Sequence, residues 1–368
     1  QMSEKALAAL SSVIDPELRR PITELGMVGD IEETGNSVSA VIKLTIVGCP
    51  AAQAIERDVT SALQGAYDAV QVTMTTMSAE ERDVLKAKLR GNKPIRHNPF
   101  AMEGSLTKVL FVGSGKGGVG KSTITANLAV ALAKQGHHVG LLDADIFGYS
   151  IPGIMGIESR PTKVDELMLP PISHDVRVIS IGFFVEDNKP VAWRGPMLHR
   201  AVEQFLTDVY WSDLDFLVVD LPPGTGDVAI SLGQLLPGAS SIVITTPQAA
   251  AATVAERSGA IGLQTGQGIL GVIENMSYLE IDGNRHHIFG SGGGEAVATR
   301  LSDISGAPVK LLGQITISES LREASDQGRP IVAENPEDPA AKAIWDIATE
   351  IAAIPRGLSG KKLGINPV

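Results

Sequence analysis

The sequence predicts an α/β fold, in which a mostly parallel, doubly wound sheet is preceded by a small α+β domain of α-β-β-α-β order. Three observations predict it. After residue 107, short apolar runs alternate with helical patterns, which is typical of a parallel sheet covered on both faces. Before residue 90, a smaller set of predicted helices and strands includes a β-hairpin. Glycine is abundant, with 39 residues, and aromatic residues make up only 4%, which favours this class over a β-sandwich.

The small domain is assigned to residues 2–90. Its clearest element is a hairpin, because Gly35-Asn36 separates two alternating runs and this residue pair favours a tight turn. A helix is expected before the hairpin and another after it, followed by the strand "AVQVTMTTM" and the charged helix "SAEERDVLKAKLR". Residues 91–106 are rich in proline, glycine and positive charge, which is typical of a linker.

The large domain is assigned to residues 107–355. Several of its predicted strands end in a polar or charged group, and the strands are "KVLFVGS", "HVGLLDAD", "FLVVDLPPG", "SIVITTP", "GVIENMS" and "VKLLGQI". Ligands bind at the carboxyl ends of the strands in such sheets, so we expect the functional residues there. Residues 356–368 contain Pro and Gly breaks and are expected to form a flexible tail without regular structure.

Charge and cysteine content argue against several classes of protein. The formal net charge is −11 and the sequence pI is near 5.2, which opposes a nucleic-acid partner. No apolar run approaches the ~20 residues of a membrane helix, so no membrane partner is expected. The single cysteine cannot form an internal disulfide, and the chain shows no secretory leader pattern. A cytoplasmic location is therefore expected.

A phosphate-binding loop follows the first strand of the large domain. Residues 115–123 read "GKGGVGKST" and fit G-x-x-x-x-G-K-[ST] between a strand and a helix. Glycines let successive N–H groups converge on phosphate oxygens, and the helix N-terminus favours negative charge. Lys121 is expected at the β and γ phosphates and Ser122 on Mg²⁺. The alternative, a glycine-rich turn that binds nothing, is disfavoured by the strand–loop–helix context.

The pattern therefore predicts a P-loop NTPase, an Mg²⁺-dependent ATPase with ATP as its nucleotide. The candidate nucleotide-binding residues of the loop are Gly115, Lys116, Gly117, Gly118, Val119, Gly120, Lys121, Ser122 and Thr123.

Lys116 makes the loop similar to the deviant form K-G-G-x-G-K-[ST] of the MinD/ParA class. This resemblance implies a nucleotide-sandwich homodimer, in which Lys116 reaches the nucleotide of the partner subunit and acts as a catalytic residue beside Lys121. The alternative is a solvated surface lysine.

Carboxylates at the ends of predicted strands are also expected to take part in Mg²⁺ binding and ATP hydrolysis. The resemblance to this class assigns to Asp145 the orientation or activation of the attacking water. Asp143 is expected to support Mg²⁺ through water, and Asp220 resembles a Walker B carboxylate near the metal. Asp227 lies in a segment like a second switch loop, and Asn275 resembles the adenine-contacting asparagine of the class. Each carboxylate could instead be a helix cap or turn residue, but their joint occurrence after one phosphate loop disfavours that alternative.

Further stretches resemble the Mrp/ApbC family of ATP-dependent iron–sulfur cluster carriers. They are "LLDADIFGYSIPGIMG", "WRGPM" and "DLPPGTGD" in the large domain. In the small domain, "DPELRRPITELGMV" and "LTIVGCP" resemble the iron–sulfur-assembly domain often fused ahead of that ATPase. The resemblance covers nearly the whole chain. It implies cluster transfer to apoprotein clients, with assembly factors as further partners.

The sequence departs from this family at one place. Cluster-carrying members usually have a C-x-x-C pair shortly after the "ENMS" stretch, so that two subunits offer four thiolates to one cluster. This chain has no cysteine there. His286 and His287 lie in the substituted segment and could ligate metal, since histidine replaces cysteine in some iron–sulfur centres. Neighbouring residues of a strand point to opposite faces, so both binding one metal needs a turn, and the interpretation as ordinary loop histidines is favoured.

Cys49 is the remaining thiol, and its position predicts two different roles. It lies between a strand and a helix, where the helix dipole is expected to lower its pKa and favour the thiolate. Cys49 is then a contact for an iron–sulfur cluster or for a client thiol. Free cysteines are also common as small buried hydrophobic residues, and the sequence leaves both roles open.

Three functions compete at this point. The first is an ATPase that carries iron–sulfur clusters, and the second is a regulator or scaffold of the same family that has lost direct cluster binding. The third is a positioning ATPase of MinD or ParA type. The tail has too many Gly and Pro residues for an amphipathic membrane helix, and the acidic balance opposes DNA binding, so the third function is disfavoured.

Overall fold

The structure is a computed structural model that describes residues 4–91, 97–102, 104–185, 195–224 and 226–355. The chain forms two compact units. The small unit comprises Gln1–His97, Ser159–Ile172 and Gln204–Ser212, and the large unit comprises Asn98–Glu158, Ser173–Glu203 and Asp213–Val368.

The helices in chain order are α1 (Glu4–Leu10), α2 (Ala52–Gln64), α3 (Ala79–Arg90), α4 (Lys121–Lys134), α5 (Ile151–Ile154), α6 (Gly195–Thr207), α7 (Asp227–Leu235), α8 (Ala249–Gln264), α9 (Gly293–Ser305), α10 (Glu319–Asp326), α11 (Ile331–Glu334) and α12 (Pro339–Ala353). The strands are β1 (Val28–Thr34), β2 (Ser37–Leu44), β3 (Ala69–Thr76), β4 (Lys108–Ser114), β5 (Val139–Asp143), β6 (Thr162–Val164), β7 (Leu167–Leu169), β8 (Ile172–Ser173), β9 (Val176–Ser180), β10 (Phe216–Asp220), β11 (Ser240–Thr245), β12 (Gly268–Glu274), β13 (Leu279–Ile281), β14 (Asn284–His286) and β15 (Lys310–Gln314).

The small unit contains a three-stranded sheet in the order β1-β2-β3. β1 and β2 are antiparallel around the predicted Gly35-Asn36 turn, where Gly35 adopts a positive φ of 62°, and β3 pairs with β2 in parallel. Alternate residues of β2 are buried, so one face of the sheet packs on the core while the other carries polar groups. The α3 helix begins with a capping box formed by Ser78 and Glu81. The predicted element order of this domain is confirmed.

The large unit is built on an eight-stranded sheet in the order β15-β12-β11-β4-β10-β5-β9-β8. The strands from β15 to β9 each pair in parallel with their neighbours. Every residue of β5, β9 and β10 is buried, as expected for strands covered on both faces. The predicted doubly wound α/β fold is confirmed. β9 is not among the strands predicted from the sequence.

The register of the central strands aligns their polar ends. Asp220, the last residue of β10, pairs with Asp143, the last residue of β5. On its other side, Asp220 is level with Val112 of β4, three residues before Gly115, where the phosphate-binding loop begins. The sheet therefore gathers the predicted carboxylates and the loop at one edge.

The small unit is not one continuous stretch of sequence. The β6–β7 hairpin contributes Val164, Leu167 and Leu169 to the same buried cluster as the helices of residues 4–64. The domain boundaries predicted from the sequence, 2–90 and 107–355, place this hairpin in the large domain. These boundaries stay a prediction. The described parts of the predicted linker, 97–102 and 104–106, carry no helix or strand. The predicted tail, 356–368, lies outside the described residues.

Among the described residues, none of the helices combines the length and the apolar character that a bilayer crossing requires.

Candidate functional site

The loop between β4 and α4 is held closely by its neighbours. Gly120 precedes α4 with a φ of +80°, a conformation that residues with a Cβ rarely adopt. A Cβ at Gly120 would lie 2.4 Å from Nδ2 of Asn275, and one at Gly115 would lie 2.3 Å from the backbone carbon of Val254. Only glycine fits at these two positions, so the spacing of the motif has a direct steric cause.

Lys121 occupies the centre of the site. Its side chain is 6% exposed, and its Nζ lies 2.8 Å from Oδ1 of Asp220 and 3.6 Å from Oδ2 of Asp145. Ser122 donates a hydrogen bond to Oδ2 of Asp220 at 2.6 Å. The structure therefore brings together the predicted loop lysine, the predicted Mg²⁺-binding hydroxyl and the predicted Walker B carboxylate.

Asp143 and Asp145 lie beside this group but are held differently. Asp143 accepts hydrogen bonds from the N–H of Asp145 at 3.1 Å and from the hydroxyl of Ser180 at 2.9 Å. Asp145 accepts from the N–H groups of Phe147 and Gly148 at 3.1 Å. Both carboxylates are therefore oriented by local backbone donors, and one oxygen of Asp145 remains directed at Lys121.

The electrostatics of the site are set by burial. Burial raises the pKa of Asp143, and the nearby charge of Asp220 raises it further, while the hydroxyl of Ser180 opposes the shift. Burial also raises the pKa of Asp220, against the lowering effect of Lys121. Three carboxylates share one buried cation here, so an additional cation would relieve their mutual repulsion.

The remaining predicted nucleotide-binding residues fall around the loop. Asn275 is buried, and its Nδ2 donates to the backbone oxygen of Val119 at 2.9 Å. Lys116 is exposed, and the hydroxyl of Ser114 donates to its backbone oxygen at 2.9 Å. Asp227 is exposed and begins α7. Gly117 and Gly118 are exposed in the loop, and Thr123 is half-buried in the first turn of α4.

The surroundings of Cys49 contradict the prediction that its pKa is lowered. It is 6% exposed within the small unit's core, and its Sγ lies 3.6 Å from Oε2 of Glu17. Burial raises the pKa of the thiol from 9.0 to about 11, and the charges of Glu17 and Asp15 add to the effect. The predicted lowering of the pKa by the helix dipole is therefore wrong, and Cys49 is a thiol at neutral pH.

The segment that replaces the expected C-x-x-C forms a short hairpin of β13 and β14. His286 ends β14, while Nδ1 of His287 lies 3.2 Å from the backbone oxygen of Ser277. Within the described ranges, no group of three or more His, Cys, Asp or Glu side chains is arranged to hold a metal ion. The interpretation of both residues as loop histidines stays a prediction.

Three residues of this edge were missed by the sequence analysis. Thr125 donates to Oδ1 of Asp220 at 3.0 Å, and its position four residues after Lys121 on one helix face was an available signal. Ser180 ends β9, a strand whose polar terminus follows the same rule as the predicted strands. Glu274 ends β12, and its buried carboxylate accepts from the N–H of Gly294 at 2.6 Å.

The comparisons with known proteins agree with this geometry. The family model described as NUBPL iron-transfer P-loop NTPase matches residues 105–352. The chain belongs to this family. A second model, described as iron–sulfur cluster assembly protein, matches residues 3–85. The resemblance drawn from the motifs is confirmed for both parts of the chain, and the large unit is a P-loop NTPase.

Relatives and a solved structure extend the comparison. The iron–sulfur cluster carrier protein of Mycobacterium leprae is 54% identical over 98% of this chain and 95% of its own length. That of Bacillus subtilis is 40% identical over 92% of this chain and 94% of its own length. A nucleotide-binding protein from Archaeoglobus fulgidus, solved in complex with ADP, is 36% identical with a TM-score of 0.53, covering 63% of this chain and 89% of that chain.

Proposed function

We propose that this protein is an ATP-hydrolysing iron–sulfur cluster carrier, in which nucleotide binding at the β4–α4 loop controls cluster transfer to apoprotein clients. The ATPase part rests on one observation: the carboxylate of Asp220 lies 2.8 Å from Nζ of Lys121 and 2.6 Å from the hydroxyl of Ser122. The names of relatives that align over nearly the whole chain support the carrier part.

Nucleotide binding follows from the loop. The N–H groups of residues 115–121 and the start of α4 bind the phosphates. Lys121 then exchanges its contact with Asp220 for the β and γ phosphate oxygens.

The oxygens of Ser122 and Asp220 fit a magnesium ion. A hydroxyl and a carboxylate are the hard ligands that Mg²⁺ prefers, and the surplus of buried carboxylates favours a cation. Bound Mg²⁺ would neutralise charge on the phosphates. Asp143 would support the metal through water, and Asp145 would orient the attacking water.

The exposed position of Lys116 supports a homodimer. An exposed lysine in the loop can contact a nucleotide held by a second subunit, as an arginine finger does. We therefore assign Lys116 to catalysis across the dimer, and Asn275 to the adenine side of the site.

The cluster is cargo in this scheme, and its ligands come from more than one molecule. A homodimer supplies two Cys49 thiols, whereas an all-cysteine cluster takes four. Thiols of a client or of glutathione complete the set. The clients and assembly factors are thus partners in binding as well as in delivery.

A second function is favoured by one observation. The segment after Asn275 lacks the C-x-x-C pair, and no cluster of metal-ligating side chains occurs within the described parts of the chain. A regulator or scaffold of the same family, which hydrolyses ATP without holding a cluster, accounts for this directly.

Anaerobic reconstitution distinguishes the two functions. The wild-type protein is incubated with iron and sulfide, with and without ATP, and the bound iron and sulfide are measured, together with transfer to an apoprotein acceptor. The carrier function predicts a bound cluster that Cys49→Ala loses, and a transfer that depends on ATP and fails in Lys121→Ala. Hydrolysis without bound iron, in the presence and absence of an acceptor, would establish the regulator and refute the carrier.

A further inference from the structure

Glu274 is a buried carboxylate of the large unit that takes no part in the proposed mechanism. It ends β12, directly before Asn275, and its side chain is 1% exposed. Its Oε2 accepts a hydrogen bond from the N–H of Gly294 at 2.6 Å. Its Oε1 accepts from the hydroxyl of Ser277 at 2.7 Å and from Nε2 of Gln314 at 3.1 Å. Because a buried carboxylate is costly unless its oxygens are paired, these donors fix the position of the group closely.

The carboxylate closes the turn that follows β12. The hydroxyl of Ser277 also lies 3.0 Å from the backbone oxygen of Glu274, so one side chain bridges both ends of the turn. Between them, Met276 adopts a φ of +55°. This conformation is uncommon for a residue with a long side chain and persists where the surrounding contacts impose it. The contacts between Glu274 and Ser277 therefore hold the turn in a strained form.

The turn brings two side chains to the phosphate-binding loop. Nδ2 of Asn275 donates to the backbone oxygen of Val119 at 2.9 Å. A Cβ at Gly120 would lie 2.4 Å from this nitrogen and 3.9 Å from Cε of Met276. The backbone of Asn275 is also fixed, because its N–H donates to the oxygen of Thr245 at 2.8 Å. A change in the turn therefore shifts Asn275 relative to the last residues of the loop before α4.

Regular elements on two sides hold the carboxylate itself. On one side lies the start of α9, where the N-cap residue Gly292 provides no side-chain acceptor. Glu274 supplies an acceptor there, and the helix dipole favours a carboxylate at this end. The close approach requires glycine, because a Cβ at Gly294 would lie 2.8 Å from Cβ of Glu274. On the other side, Gln314 ends β15, and Ile315 donates its N–H to the backbone oxygen of Glu274 at 2.8 Å.

We propose that Glu274 is a positioning residue for nucleotide binding. It ties the turn after β12 to α9 and β15, and thereby holds Asn275 against the phosphate-binding loop. Replacement of Glu274 weakens ATP binding through Asn275 and leaves the hydrolytic step unchanged. This role rests on the proposed binding of ATP at the β4–α4 loop.

The test is a double-mutant cycle in the full-length protein freed of nucleotide. Affinity is measured by calorimetry with a slowly hydrolysed ATP analogue, and KM and kcat by phosphate release. Glu274→Gln keeps the shape of the side chain but offers one acceptor oxygen in place of two, so it cannot accept from both sides of the turn. The affinity should fall about threefold to tenfold, as expected for one misaligned hydrogen bond. KM should rise while kcat stays within about twofold of the wild type.

The decisive comparison is made in the Asn275→Ala background. Substitutions that act through one contact are not additive, whereas independent substitutions are. Because Glu274 acts through Asn275, Glu274→Gln should change the affinity of Asn275→Ala by less than about twofold. A general loss of structure would lower the affinity equally in both backgrounds. Glu295→Gln, which removes an exposed carboxylate from the first turn of α9, is the matched control and leaves the affinity unchanged in both.

Three results would overturn this role alone. Equal decreases for Glu274→Gln in both backgrounds mean that Glu274 does not act through Asn275. An unchanged affinity in folded Glu274→Gln removes it from nucleotide binding, and a lower kcat with an unchanged KM contradicts a role in positioning. Wild-type protein that fails to bind ATP instead refutes the proposed function, and this role falls with it.

Circular dichroism of each variant verifies folding. If Glu274→Gln does not fold, Ser277→Ala, which removes one donor to the same carboxylate, takes its place in the cycle. The same criterion then applies: a decrease in the wild-type background that disappears in Asn275→Ala supports the role, and equal decreases refute it.

Discussion

The buried pair of Lys121 and Asp220 makes a prediction that separates binding from stability. Lys121→Ala removes the cation that lies 2.8 Å from a fully buried carboxylate. Breaking a buried pair by removing one partner costs about 3–5 kcal/mol. Asp220 keeps its hydrogen bonds from Ser122 and Thr125, so we expect the lower end of this range, about 3 kcal/mol.

The assay uses protein freed of nucleotide, and measures unfolding by urea and the binding and turnover of ATP. Lys121→Ala should unfold at lower urea and lose ATP binding or hydrolysis. The double variant Lys121→Ala, Asp220→Asn should regain most of the stability, because the uncompensated charge is gone, but no activity. Lys134→Ala, at the exposed end of the same helix, is the control and should change neither property substantially.

Two results would refute this reasoning. Equal stability of Lys121→Ala and the wild type without nucleotide would mean that the lysine and Asp220 are not paired in solution. Near-normal ATPase activity of Lys121→Ala would overturn the assignment of the phosphate-binding loop itself.

Four further predictions concern single side chains. Lys116→Ala should impair ATP-driven dimerisation or hydrolysis while keeping most of the nucleotide affinity; sedimentation with a slowly hydrolysed analogue measures it, and an unchanged dimer with unchanged turnover contradicts the trans role. Asp145→Ala should slow single-turnover hydrolysis about 10²-fold or more and accumulate the ATP-bound form, and a normal rate would remove it from catalysis. Gly120→Ala should weaken ATP binding about tenfold, because its φ of +80° and the 2.4 Å approach of Asn275 cost about 1–2 kcal/mol; calorimetry that shows equal affinity would contradict this. Cys49→Ala should reduce the loss of stability at alkaline pH. The pKa of the Cys49 thiol is about 11 in the folded protein, against an ordinary value of 9.0. The stabilising contribution of the protonated thiol is therefore complete below pH 9.0 and disappears as the pH rises through about 11. This contribution is about 1 kcal/mol after solvent screening, and identical urea midpoints of both proteins across this range would refute it.

The sheet and the phosphate site could be predicted from sequence because their signals are local. A buried run followed by Asp143 or Asp220 contains both the strand and its functional end, and parallel pairing then aligns the two ends. The loop glycines could be predicted because the motif requires a residue without a Cβ at fixed positions. Ser180 was missed although its strand obeys the same rule, because β9 follows a region of short, irregular strands.

Which segments of the chain form the small unit could not be predicted from the sequence in this way. The β6–β7 hairpin follows the nucleotide-site carboxylates in the chain, and three-residue strands give almost no periodic signal. What places it with the small unit is its buried Val164 and Leu167, and the pairing of Asp165 with Lys86. These contacts join residues about 80 positions apart, which local patterns do not encode.

The chemistry of Cys49 shows how such distant contacts reverse a local inference. A helix N-terminus stabilises a nearby negative charge by about 0.3–1 kcal/mol, which lowers a pKa by less than one unit, and the effect fades within one turn. The α2 helix begins at Ala52, so Cys49 lies at the limit of that range. Burial and the carboxylates of Glu17 and Asp15 act in the opposite direction and raise the pKa to about 11. Burial in the core of the small unit has the largest effect, and the two carboxylates that add to it lie more than 30 positions away in the chain, so the pKa of this thiol is determined by the fold of the small unit rather than by the sequence around it.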